Sequence, residues 1–141
     1  MAESVLSLKD VAVYQKENMV LNDISLEVKH GEFVYLIGKT GSGKSSFMKT
    51  LYADLPFREG QGHIVGFDLK TLPEKEIPNL RRKLGIVFQD FKLLPDRNIQ
   101  NNLLFVLKAT GWKDPSKMSQ RIEEVLDKVG MKTKGFKFPH E

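Results

Sequence analysis

Apolar and polar positions alternate along the first third of the chain. Val5, Leu6, Leu8, Val11 and Val13 form a loosely alternating series up to Tyr14, and Gln15–Asn18 is a polar turn. Leu21, Ile24, Leu26 and Val28 form a second series, strictly alternating from Ile24 to Val28. A period of two with one polar face predicts half-buried antiparallel strands. After the turn His30-Gly31-Glu32 the pattern changes. Phe33-Val34-Tyr35-Leu36-Ile37 is apolar on both faces, which predicts a central strand buried from both sides, as in a parallel sheet.

Helical spacing follows. Phe47, Met48, Leu51, Tyr52 and Leu55 fall on one face of a predicted helix that Pro56 ends. Gly60–Phe67 holds a short strand centred on Ile64 and Val65, and Pro73 to Leu84 is a helical stretch interrupted by Pro78. Gly85-Ile86-Val87-Phe88 predicts another short buried strand, ending at Gln89. Beyond that the chain turns helical. Ile99 to Ala109 is a predicted helix closing at Gly111, and Asp114-Pro115 sets an N-cap residue before a proline at the first helical position. Met118, Ile122, Val125, Leu126 and Val129 line one face of the next helix, which Gly130 stops. The pattern divides the chain into a β and α/β part, 1–94, and a helical part, 95–141, with no internal repeat. Lys132, Lys134 and Lys137 make a basic tail, read as solvated.

Composition narrows the function classes. The 141 residues are 40% hydrophobic and 28% charged, which suits one soluble domain and argues against disorder. With no cysteine, disulfide scaffolds, thiol nucleophiles and cysteine metal sites are excluded. The longest apolar runs, Phe33–Ile37 and Leu103–Leu107, are five residues, far short of the ~20 a membrane span needs. The start, Met1-Ala2-Glu3-Ser4, has no basic flank or apolar core of a secretory signal. The net charge of +4 is mild, and no nucleic-acid partner is read from it.

The chemistry lies in Gly38-Lys39-Thr40-Gly41-Ser42-Gly43-Lys44-Ser45, which fits the phosphate-binding loop G-x-x-x-x-G-K-[ST]. Its context, after an apolar run and before an amphipathic helix, is the one the motif requires. Glycines at 38, 41 and 43 let the backbone curl and turn its N–H groups inward. The helix N-terminus adds donors and a positive dipole end. Lys44 supplies a point charge for the β- and γ-phosphates. The Ser45 hydroxyl suits one place on a bridging Mg²⁺. Lys39, Thr40, Ser42 and Ser46 line the same loop.

Two residues outside the loop sharpen the class. Gln89, just past an apolar strand, could ligate Mg²⁺ or orient a water; by itself it reads as an ordinary polar residue. Tyr14 ends the first strand and could stack on a nucleobase; by itself it reads as a plain β residue. Taken together, Tyr14, Leu21–Leu26, His30-Gly31-Glu32, the loop at 38–45 and Phe88-Gln89-Asp90 resemble the N-terminal half of an ABC-type ATPase. The resemblance implies an α/β P-loop NTPase fold: an antiparallel β subdomain, a parallel-sheet core and the start of a helical subdomain, all in one truncated ATP-binding domain over 1–141. It implies ATP and Mg²⁺ as ligands, Tyr14 as the adenine-stacking aromatic, Lys44 as the phosphate lysine and Gln89 as the glutamine that touches Mg²⁺ and senses a membrane partner. Gln89-Asp90-Phe91-Lys92-Leu93-Leu94-Pro95-Asp96-Arg97 is similar to the bacterial cell-division ATP-binding proteins, and the ATPases of lipoprotein release and macrolide export share much of the pattern.

The resemblance also implies an integral membrane permease as partner, an ATP-dependent homodimer of the full-length protein, and a place at the cytoplasmic face of the bacterial inner membrane. The expected docking surface is a cleft between the α/β core and the helical part near Phe91, Leu93, Leu94 and Phe105, each of which reads equally as core packing. Phe138-Pro139-His140-Glu141 matches the stretch that precedes the family's signature. The signature, the Walker B aspartate, the catalytic glutamate and the switch histidine are not among the 141 residues, and His30, His63 and His140 are no substitute. The chain is therefore read as a truncated front half of the domain, with no complete catalytic set: Lys44 and Gln89 only contribute. Two expectations follow. Turnover by this chain alone is near background, and Phe33–Ile37, whose sheet neighbours the resemblance places later in the chain, leaves it marginally stable. A nucleotide-dependent binding switch is the competing reading. A small-molecule kinase is disfavoured by the β-rich start and Gln89, and a DNA-repair ATPase by the absence of a large insertion.

Overall fold

The computed structural model describes residues 3–141, in two compact units, which divide between 85 and 86. The sequence pattern changes character at 94–95, whereas the compact units divide after Gly85. Segment 86–94 goes with the helices because Leu94 is hydrogen-bonded to Asn102 through both its N–H and its carbonyl.

The first unit is built on a four-stranded antiparallel sheet in the order β2-β1-β3-β4. Strands β1 (Ser4–Gln15) and β2 (Asn18–Lys29) form a long hairpin whose tight turn has Lys16 in the left-handed region (φ 57°). Strands β3 (Glu59–Ile64) and β4 (Phe67–Asp68) form a second, joined by Val65 and Gly66, both at positive φ. Their twist matches that of the flanking strands.

The loose alternation of β1 has a structural cause. The strand bulges at Asp10 (φ 53°), and its register against β2 shifts between Leu8 and Val11. Leu6 and Leu8 face the core before the bulge; Val11, Ala12 and Val13 are all buried after it. The bulge is locked from both sides. Ser25 Oγ accepts the Asp10 N–H at 3.1 Å from β2. On β3, Gly60 (φ 91°) sits so close that a Cβ there would lie 2.5 Å from the Asp10 carbonyl oxygen. A bulge of this type adds twist and leaves room for nothing larger than glycine opposite.

Helix α1 (Lys44–Leu51) packs on this sheet. Phe47 joins Leu6, Leu8, Val11, Val13, Ile64, Leu69 and Leu80 in the core. The predicted face is partly corrected. Thr50 and Ser46 are buried beside Phe47, Met48 is half exposed, and the helix ends at Leu51, before Leu55 can join it. Pro78 does not interrupt its helix but starts it: a 3-10 turn, Glu74–Glu76, runs into α2 (Ile77–Arg82) with the proline in the first turn, where no N–H is needed. Leu80 is wholly buried, and Arg81 donates to the carbonyls of Tyr52 and Ala53 after α1.

The second unit holds α3 (Ile99–Ala109) and α4 (Pro115–Lys128), with the bounds the sequence predicts for α3. Asn98 and Asp114 cap them through their side chains. Met118, Ile122 and Leu126 are buried, while Val129 is exposed. The basic tail is more than a solvated strand of charge: the carbonyls of Gly135 and Lys137 accept the N–H groups of Gln100 and Ile99 at the start of α3.

Two expectations are corrected. Phe33–Ile37 is in no strand; Phe33, Tyr35 and Ile37 are 82%, 81% and 87% exposed. Gly85–Phe88 is likewise in no strand, and Val87 is 98% exposed. A strand buried on both faces needs hydrogen-bonded neighbours on both edges and layers above and below. Among the described residues all the strand pairings are antiparallel and none involves these segments. The α/β class stands, with no parallel strand pairing among the described residues.

Candidate functional site

The loop at 38–45 runs directly into α1, whose first residue is Lys44. Two of its glycines, Gly41 and Gly43, sit at positive φ, where an L side chain is strained. Gly43 is the N-cap, with φ 98° and ψ 8°, and a Cβ on it would lie 2.7 Å from Val20 Cγ1 on β2. Gly38 lies so near Ser42 that a Cβ would approach its Oγ to 2.6 Å. Gly41 has positive φ but open space around it. The loop is thus tight at both ends and open at its crest, which suits a polyanion approaching the backbone.

Its hydrogen bonds hold the curl. The Ser42 N–H donates to the Lys39 carbonyl at 3.0 Å, and the Phe47 N–H begins the helix ladder on the Gly43 carbonyl at 2.9 Å. The Lys44 side chain folds back over the loop: its ammonium donates to the carbonyls of Gly38 and Lys39, the second at 2.9 Å. The N–H groups of the first helical turn have no intrahelical acceptors, and α1 carries no acidic residue there to neutralise its dipole. Ser45 is exposed in that turn; Ser46 is buried, with its carbonyl accepting the Thr50 hydroxyl at 2.8 Å. Lys39 and Thr40 are exposed. Preorganised donors, an ammonium and a hydroxyl beside it fit the phosphates of a nucleotide with Mg²⁺, the hydroxyl being a hard oxygen ligand. No cluster of acidic or histidine side chains that could hold a metal occurs among the described residues.

Tyr14 lies at the same end of the β1–β2 hairpin that Gly43 packs against, since it pairs with Met19 while Val13 pairs with Leu21. Its hydroxyl donates to Glu59 Oε1 at 2.7 Å, and the Arg58 guanidinium lies over its ring, 5.1 Å from the centroid. The hydrogen bond to Glu59 holds the phenol above its ordinary pKa; desolvation and the carboxylate's charge add to this, and Arg58 opposes it. Sequence reasoning missed Arg58 and Glu59. The register of β1 against β3, Ala12 opposite Glu59, brings them to Tyr14 across 45 residues, and no local pattern encodes that register.

Gln89 belongs to the second unit and is exposed in a sharp turn. Phe91 and Lys92 are both left-handed, with φ of 62° and 55°, and Lys92 pairs with Asp90 at 3.1 Å. The segment after that turn, 94–98, is held by Asn102, whose Oδ1 accepts the Leu94 N–H and whose amide donates to the carbonyls of Leu94, Arg97 and Asn98. Asn102 had no signal in the sequence beyond a polar residue in an apolar helix. Of the apolar residues named for docking, Phe91, Leu93 and Phe105 are 76%, 53% and 49% exposed, and Leu94 is half-buried. No helix among the described residues is long and apolar enough to cross a membrane.

Known proteins match this arrangement. The family model described as ABC transporter matches residues 21–140. The chain is 37% identical over 139 residues to the cell division ATP-binding protein FtsE of Streptococcus pneumoniae, covering 98% of this chain and 60% of that protein. It is 44% identical over 138 residues to FtsE of Bacillus subtilis, covering 97% and 60%. The methionine import ATP-binding protein MetN 2 of Salmonella choleraesuis is 35% identical over 84% of this chain and 35% of its own length. Among solved structures, a dimeric ATP-binding cassette in a post-hydrolysis state, bound to ADP and phosphate, superposes with a TM-score of 0.81 at 28% identity, over 96% of this chain and 62% of that one. The chain thus spans about 60% of the length of the FtsE proteins it matches. With the family model covering nearly all of it and its fold matching solved cassettes, the chain belongs to the ABC transporter family of ATP-binding domains.

Proposed function

We propose that this chain is the nucleotide-binding part of an FtsE-like ATPase subunit, which acts in cell division with an integral membrane partner of the FtsX-like permease type. The observation that carries it is the loop at 38–45: a glycine-permitted curl, the start of α1 and the Lys44 ammonium, converging where a triphosphate needs them. Lys44 would neutralise the β- and γ-phosphates, the loop N–H groups would orient them, and the Ser45 hydroxyl would hold Mg²⁺, which would draw charge from the phosphate oxygens; Gln89, on the second unit, carries an amide oxygen of the hard type that Mg²⁺ takes. Tyr14 is the platform for the adenine. The exposed apolar residues Phe91, Leu93 and Phe105 of the second unit face the permease. In the whole protein, ATP drives dimerisation and is hydrolysed at the cytoplasmic face of the inner membrane.

The similarity to MetN supports a second reading, the ATPase of a solute importer. It ranks below the first because the FtsE relatives match across more of the chain. The resemblance assigns the water-orienting base and the signature to segments outside these 141 residues, so this chain holds ATP without turning it over. Steady-state phosphate release at saturating Mg·ATP tests this. The whole protein is expected to show turnover that Lys44→Ala removes, and this chain to stay near background. Robust Lys44-dependent turnover by this chain contradicts the proposal. Association of the whole protein with a permease of the FtsX type, rather than with an import permease, separates the two readings.

A further inference from the structure

Arg58 is held beside Tyr14 by position rather than by a rigid pairing. It precedes Glu59, the first residue of β3, which both pairs with Ala12 and accepts the Tyr14 hydroxyl. Its guanidinium is 5.1 Å from the ring centroid, and its other partner is Glu17 at 3.7 Å. The Glu17 side chain is 92% exposed and that of Arg58 is 36% exposed, so water screens this pair and the arginine is free to shift outward. A flat guanidinium over an aromatic ring forms two walls of a slot, with Glu59 fixing the tyrosine wall through its hydroxyl.

We propose that Arg58 is a nucleobase-binding residue, forming with Tyr14 a slot that clamps the base of the bound nucleotide from its other face. The inference rests on the nucleotide-binding reading above, with Tyr14 as the base platform. A base entering the slot replaces one guanidinium–ring contact by two stacks, one on each wall, and only the long, exposed arginine has to back away. The guanidinium carries donors alone, and every base presents a π-face, so the clamp adds affinity without choosing between adenine and guanine. The segment Arg58-Glu59 therefore does more than open a strand.

Calorimetry with this chain and three probes, Mg·ATP, Mg·GTP and Mg·tripolyphosphate, tests the proposal, because tripolyphosphate reports the loop at 38–45 without a base. Arg58→Ala is expected to weaken ATP and GTP alike by about two- to fivefold and to leave tripolyphosphate binding unchanged. The substitution is at an exposed side chain, and intact tripolyphosphate binding certifies that the variant is folded. Unchanged or tighter ATP binding overturns the clamp, the tighter result making Arg58 a competitor for the ring. An equal loss for tripolyphosphate also overturns it, since Arg58 would then act on the phosphates. Failure of the unmodified chain to bind any of the three probes removes the nucleotide-binding reading itself, and the clamp with it.

Discussion

The side-chain oxygen of Asn102, on α3, accepts the backbone N–H of Leu94 at 2.8 Å, and the amide of the same side chain returns a hydrogen bond to the Leu94 carbonyl at 3.1 Å. One buried residue thereby imitates a strand partner and fixes the backbone at Leu94, ahead of α3. Asn102→Ala leaves those backbone groups unpaired and should destabilise the second unit by about 2 kcal/mol. Hydrogen exchange at the Leu94 amide should accelerate accordingly. Asn102→Asp keeps the acceptor but sets a carboxylate oxygen against the carbonyls of Leu94, Arg97 and Asn98, and should restore none of the lost stability. Unaltered protection of Leu94 in the alanine variant would show that its backbone is held by something else.

The bulge at Asp10 and the glycine opposite it form a second unit of design. Gly60→Ala places a methyl 2.5 Å from the Asp10 carbonyl oxygen at a φ of 91°. The expected loss of stability is about 2–3 kcal/mol, from strain and backbone clash together. Gly66→Ala has a similar φ, 87°, but nothing within 4 Å, and should lose only about 1 kcal/mol. Denaturant unfolding of the two variants checks the ordering; equal losses would contradict it.

The Tyr14 phenol should titrate late. Its neutral form donates to Glu59, and ionisation would break that bond and set two negative charges together, so its pKa lies above the ordinary 10.0. A pKa raised by folding means that the contribution is complete below the unfolded tyrosine value and is lost as pH rises through the folded one. The phenolate absorbance that Tyr14→Phe removes should therefore have its midpoint above 10.0, and Glu59→Gln should bring that midpoint down. A midpoint at or below the ordinary value would show that the hydroxyl is not bonded in solution.

Local signals survived translation into structure. The bounds of α3, the Asp114 cap of α4, the loop-to-helix junction at Lys44 and the polar turn of the first hairpin all depend on residues within a few positions of one another. What was illegible depends on register or on distant partners. The loose alternation of β1 hid a bulge whose proof lies on two other strands, at Ser25 and Gly60. Apolar content alone made Phe33–Ile37 a buried strand, yet such a strand requires hydrogen-bonded strands beside it, and no strand among the described residues pairs with it. The candidate site divides the same way. The loop at 38–45 and the two residues singled out beyond it, Tyr14 and Gln89, were legible as residue types, whereas the Arg58 and Glu59 side chains around Tyr14 reach it only through the β1–β3 pairing.

In the proposed function, Lys44 and the curl it closes bind the phosphates of ATP. Its most direct test is isothermal titration of the chain with Mg·ATP, beside Lys44→Ala and a check that the variant keeps the far-ultraviolet dichroism of the parent. The parent should show saturable one-site binding, and the variant should lose nearly all triphosphate affinity with its fold unchanged. Equal ATP affinity in both proteins would contradict it.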